Sequence, residues 1–444
     1  MSGLGTIART ATLGMTTGEI VEWMVIAIIF YLIVYWISTA LPTKVDRAWL
    51  PAMVMWGFAA KLVGTLLRYY MAVDLYGTGD AFRYHSRGVA FAGIWRTLAI
   101  PVSDAGGQGT AFTEVVTGLV YSIYTPTMRG GFLMFAFLAF LGQLMFYAAL
   151  RPWLKTKALK RYAIAVLFFP SLVFWPASIG KDALMMLFLG LATLGISRLL
   201  RRFEPMGLIT AGLGLYLAAQ VRPHVAIMLA LAGALAFLLM RRTDRRVGGF
   251  RRIVLLVLAV VGLTFAWGAF STDFGVSLEG SGDTADPGAF LESVQNQTAQ
   301  GGSEVSGGIV SNPLDLPAAT LKVLFRPLIY EASNLATAVS AVEGTVLLFF
   351  IVWKIPMMFR NRRMVRGNPL LLLSFFYTGG FIIAFSSILN LGILARQRVQ
   401  VLPFLLALLV TLAWPAEDED TATTGHHRTR TRNGDRLQIS ASSR

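Results

Sequence analysis

The sequence predicts an all-α, polytopic integral membrane protein of about eleven transmembrane helices, and three observations carry that expectation. Of 444 residues, 55% are hydrophobic and only 14% charged, where soluble chains carry about 25% charged residues. Apolar runs of about 20 residues recur from end to end, each fit to cross most of a hydrocarbon core roughly 30 Å thick. The basic residues gather in alternate loops between those runs, the pattern of a chain inserted with its positive loops inside. A net charge of +15 distributed in this way points to membrane lipids at the basic loops, not to nucleic acid.

The expected spans are 20–41, 49–72, 130–150, 162–177, 183–198, 206–220, 225–240, 253–271, 334–353, 369–389 and 399–414. They form a single transmembrane domain, 20–414, between a flexible segment 1–19 and a disordered charged tail, 415–444. The first span has no small-residue cleavage site and is long for a signal-peptide core, so it is read as a mature helix. Between the second and third lies an outer segment, 73–129. Its stretch from Asp80 to Leu98 is amphipathic and is expected along the membrane interface, anchored by Phe82, Val89 and Trp95. Pro170 and Pro176 break or kink the fourth span. A second outer segment, 272–333, opens with Gly-, Ser- and Asp-rich sequence that cannot pack a core. The basic loops around Lys44, Arg151, Arg198, Arg241 and Arg360 are assigned to the cytoplasm. Parity then puts the N-terminus outside and the C-terminus inside.

Four charged clusters fall at the outer ends of the spans: GDAFRYH (79–85), GKD (180–182), RPH (222–224) and RQR (396–398). Spans four to seven and the last are short; sixteen residues cover roughly 24 Å. Basic residues pin the inner ends of spans four to seven, so their shortfall falls outside. Lys181, Asp182, Arg222, His224, Arg396 and Arg398 are expected to line an outward-facing depression. Isolated charges at such depth are costly, about 2.5–3.5 kcal/mol each.

Each cluster also has a purely structural reading. Asp80 is either a helix N-cap or a general base, with His85 and Arg83 close in sequence. Asp182 suits the start of a helix, whereas Lys181 stands at the wrong end of the dipole and calls for an anion. Arg222 is a common interfacial arginine, and Arg396 and Arg398 form forks that match phosphate. Arg326 and Glu331 read as a local ion pair at the re-entry of the second outer segment. Lys61 and Glu343 lie near the midplane and read as a buried structural pair. No metal-ligand spacing, P-loop or GxSxG elbow occurs, so neither metal nor cofactor is expected.

The hairpin FPSLVFWPASIGKDALMMLFLGL and the ending NLGILARQRVQVLPFLLALL resemble turns of bacterial exopolysaccharide and O-antigen polymerases. The likeness is broad in architecture and reaches motif level over some 40 residues. It implies that Lys181, Arg396, Arg398 and, by analogy, Arg222 engage a pyrophosphate. GDAFRYH departs from that pattern and is more similar to the acidic first outer loop of GT-C glycosyltransferases, where the loop follows the first span and not the second. Both resemblances imply glycosyl transfer from a polyprenyl-(di)phosphate-linked glycan at the outer face of a bacterial plasma membrane. Asp80, or else His85, is then the base, and envelope-assembly proteins are the expected partners. A transporter or flippase of an anionic lipid or glycan, and a non-catalytic assembly protein, are the alternatives.

Overall fold

The structure, a computed structural model, describes residues 16–98, 107–202, 204–240, 312–332, 335–388 and 390–415. The expected span 253–271, most of the second outer segment, almost all of the charged tail and most of the segment 1–19 lie outside the described residues.

Among the described residues no strand is present. The helices run α1 (Thr17–Ala40), α2 (Leu50–Tyr69, continued by a π-helical turn to Leu75), α3 (Asp80–Arg96), α4 (Thr110–Ile123) and α5 (Met128–Leu150). They continue as α6 (Thr156–Phe168), α7 (Pro170–Phe174), α8 (Lys181–Arg201), α9 (Pro205–Val221) and α10 (Pro223–Leu239). After the undescribed segment come α11 (Leu316–Phe325), α12 (Leu335–Asn361), α13 (Arg363–Gly367), α14 (Pro369–Phe385), α15 (Leu391–Gln397) and α16 (Leu402–Leu412). Five are long and apolar enough to cross a membrane: α1, α2, α5, α8 and α12. A sixth crossing results if α15 and α16, bent by 66°, count as one broken span.

The core is built on α5 and α8, the most enclosed of the long helices. They meet at glycine: a Cβ on Gly142 would run into the Met186 carbonyl, and one on Gly190 into the carbonyl of Gly142. Without a hydrophobic drive between helices in lipid, such small-residue contacts supply the van der Waals packing that holds them. The opposite side of α8 receives α9 in the same way, through Gly195 and Gly214. At the periphery, α1 and α12 present Leu32, Trp36, Phe349 and Trp353 outward.

The two ends of the bundle are distinct. At one end Asp46, between α1 and α2, is fully enclosed and accepts from the Tyr147 hydroxyl at 2.6 Å and the Thr43 hydroxyl at 2.9 Å. Arg151 lies 3.7 Å from the same carboxylate. Near this end, Asn368 donates to the Trp153 carbonyl at 2.7 Å and Trp153 to Ser197 at 2.8 Å. The opposite end carries α3, α4 and the charged turns.

The span 162–177 is broken and not merely kinked, one of the two outcomes expected of its prolines: α6 stops at Phe168, Phe169 is extended, and α7 is a separate turn. Proline at 170 has no N–H and disfavours helix at the preceding residue. The two prolines also deprive the carbonyls of Val166 and Leu172 of their i+4 donors. Gln143 Nε2 takes the first at 2.8 Å and Lys61 Nζ the second at 2.8 Å. Lys61 therefore does not pair with Glu343, whose carboxylate instead accepts from the Ser171 amide and hydroxyl, each at 2.6 Å. In the segment 73–129 the expected amphipathic stretch is helical, as α3, and a second helix, α4, packs on it as a hairpin. Glu114 of α4 binds Arg83 at 2.5 Å and Arg87 at 3.4 Å, and Gly88 and Gly118 let the helices touch.

Candidate functional site

The site is centred on Asp182, at the second position of α8. Gly180 precedes it with φ +147°, a conformation that favours glycine, and a Cβ there would lie 3.1 Å from the Tyr84 ring. The start of α8 thereby packs directly against α3. Asp182 is 2% exposed and accepts from two arginines. Arg222 Nη2 reaches Oδ1 at 3.0 Å, and Arg396 Nε closes a short contact with Oδ2. Arg396 Nη1 also lies 3.6 Å from Asp80 Oδ2 on α3. One ionic chain, Asp80–Arg396–Asp182–Arg222, thus joins α3, α15, α8 and the α9–α10 junction.

Two further cations surround it. Arg68, in the last turn of α2, stacks over Trp175 at 5.0 Å and Phe174 at 5.4 Å, within electrostatic range of Arg396 and Asp182. Lys181 is half-buried beneath the loop before α4, with its Nζ 3.3 Å from where a Cβ on Gly109 would stand. The Gly109 amide fixes that loop by donating to the Gln220 carbonyl at 2.7 Å. Four cations therefore face two carboxylates. Arg222, only 8% exposed, keeps its Nη1 buried with no hydrogen-bond partner, and Arg68 Nε is likewise unpartnered. Donors and positive charge left over in an enclosed space are the chemistry of an anion site.

Asp80 stands apart from the rest in exposure, with 61% of its side chain accessible. It occupies the first helical position of α3, and Gly79 is the N-cap with no side-chain capping bond. The capping reading is thereby removed. The carboxylate keeps open access and a cationic neighbour. Tyr84, one turn on, is pushed up to about 12 by burial and by the nearby Asp80, so its phenol stays neutral.

The structure divides the other expected residues. Asp80, Lys181, Asp182, Arg222 and Arg396 converge; Arg398 does not. Arg396 lies in the last turn of α15, which ends at Gln397, and Arg398 opens a short 3₁₀ turn, so RQR is a junction of helices and not a loop. Residues two apart on a helix face different sides. Arg398 is fully enclosed, donating from Nη1 to the Leu324 carbonyl at 2.7 Å, with Nη2 3.8 Å from Glu343. His224 turns to the Phe385 ring at 5.7 Å. His85 lies 3.1 Å by Nδ1 from the Tyr121 hydroxyl, so the two candidate bases are not a pair. Burial pushes its imidazole below the ordinary value, against the opposing effect of Glu22. Arg83 is engaged by Glu114, and Arg326 with Glu331 forms the expected local ion pair, Nε to Oε1 at 2.8 Å. Burial would raise the Glu331 carboxyl, but Arg326 and the Leu328 amide outweigh it and hold it low.

Arg68 was missed by sequence reasoning, although it had a signal: a basic residue close to the end of an apolar run, outside the four charged clusters. Lys322 was missed as well; it is buried and donates to the Ser386 carbonyl at 2.8 Å. The chain matches no protein-family model, no curated protein and no solved structure.

Proposed function

We propose that this chain is a multi-pass protein of cell-envelope polysaccharide assembly that transfers a glycan from a polyprenyl-(di)phosphate carrier at the outer face of a bacterial plasma membrane. The observation that carries the reading is the buried, unpartnered Nη1 of Arg222 within a cluster of four cations and two carboxylates. In this scheme Arg222, Lys181 and Arg68 bind the phosphate, and Asp182 holds Arg222 and Arg396 in place. The acceptor hydroxyl oxygen bonds to the anomeric carbon as the bond from that carbon to the phosphate oxygen breaks. The electron pair leaves on the phosphate, where the cations stabilise it, and the acceptor proton passes to Asp80. The topology that accompanies this reading has up to eleven spans, with the basic end in the cytoplasm and the N-terminus outside. The resemblance of the GKD and RQR segments to polysaccharide polymerases supports it.

A second reading, carriage of an anionic lipid or glycan, is favoured by one observation. Lys61, Glu343, Arg398 and Lys322 are all enclosed deep in the bundle, where charge marks transport paths.

Elongation of a lipid-linked glycan by the purified protein separates the two. Arg222→Ala is expected to lower turnover on the order of 10²–10³-fold, and Asp80→Asn on the order of 10²–10⁴-fold. Unchanged elongation in Arg222→Ala would sink the phosphate site. Translocation with no new glycosidic bond would favour the carrier.

A further inference from the structure

A groove of about 820 Å³ runs between α6, α12 and α16, and no residue of the Asp182 cluster lines it. Phe169, Val342, Val346 and Leu409 represent its walls, which are apolar along nearly their whole length. On α12 the lining extends from Ala338 to Phe350, roughly 18 Å at 1.5 Å per residue. That is close to the hydrocarbon depth of one leaflet, half of roughly 30 Å.

The polar groups of the groove are unequal. Part-way along its α12 wall Glu343 is turned into the protein, with its carboxylate engaged by Ser171 and Arg398. At one end, the basic end of the bundle, Arg161 lines the groove and lies 4.7 Å above the Trp414 ring. Lys354 approaches the same ring at 6.0 Å. Among the described residues neither cation has a carboxylate partner. An occupant with an apolar chain and an anionic head is therefore oriented: the head meets Arg161 and Lys354, and the chain lies along the apolar walls.

We infer that this groove binds one anionic phospholipid, with an acyl chain between α6, α12 and α16 and the phosphate against Arg161, Lys354 and Trp414. A tryptophan at the head-group level fits the same placement. The site is separate from the Asp182 cluster and does not depend on what that cluster binds.

Native mass spectrometry of the full chain, released from micelles doped with equal amounts of phosphatidylglycerol and phosphatidylcholine, tests the inference. One phosphatidylglycerol is expected to be retained in preference. The double variant Arg161→Ala, Lys354→Ala is expected to lose retention by roughly fivefold for each cation removed. Filling the groove with Val342→Phe and Val346→Phe, both exposed at present, is expected to abolish retention of either lipid. Equal retention of the two lipids, retention of neither, or phosphatidylglycerol retention unchanged in the charge variant would each overturn the assignment. If the filled variant fails to fold, the charge variant still decides the matter, because both cations sit at the rim.

Discussion

Asp46 shows what one enclosed carboxylate does when both of its oxygens are engaged. Burial alone would raise its pKa, but the Tyr147 hydroxyl, the Thr43 backbone and side chain, and Arg151 hold it below the ordinary carboxylate value. A depressed pKa contributes stability that is complete above the unfolded value, about 3.9, and is lost as pH falls through the folded one. The thermal midpoint of the purified protein should therefore fall as pH drops below about 4. Asp46→Asn should start lower at neutral pH and lose less on acidification. Parallel acid profiles for the two proteins would refute this account. At the same scale, Asp182, Arg222, Lys181 and Arg396 were legible in the sequence because each is a charge at a span end, where hydrophobic length alone fixes depth. The partner of Lys61 was not legible. It is a backbone carbonyl, and only the absence of an N–H at Pro176 leaves it open. The separation of Arg398 from Arg396 was hidden for a related reason: it depends on RQR being helical, whereas its composition suits a turn equally well.

Helices α5 and α8 owe their contact to the absence of side chains. Gly142→Val places a branched side chain against the Met186 carbonyl, where backbone and not a flexible tip must give way. Overpacking of that kind destabilises by about 3 kcal/mol or more. It should appear as a lowered midpoint and loss of monodispersity in detergent. Gly212→Ala supplies the contrast: nothing lies within 4 Å of the added carbon. It removes a helix-weakening glycine and should leave stability equal or about 1 kcal/mol higher. If both variants behave alike, close approach is not what holds the pair. The long apolar helices were legible from run length. The α3–α4 hairpin was legible only in its first half, because Asp80–Arg96 is periodic. The stretch TAFTEVVTGLVYSI is apolar but short, and nothing in its pattern announces that Glu114 faces Arg83 and Arg87.

At the scale of the whole molecule, the bundle has one end of carboxylate–tyrosine and asparagine clamps and another of arginine clusters, and the proposed orientation makes the first cytoplasmic. The chain contains no cysteine, so single replacements report cleanly. With a membrane-impermeant maleimide on intact cells, Thr78→Cys should label and Lys44→Cys should label only after permeabilisation. The reverse pattern would invert the topology. Between the two ends lies α7, five residues long. Pro170 lines the apolar groove, Ser171 holds Glu343, the Leu172 carbonyl receives Lys61, and Phe174 lies under Arg68. Almost every position of this turn has its own distant client, so none can be exchanged on local grounds alone. A tolerance map of the chain should show its narrowest point here, in a segment too short to be a helix that spans anything.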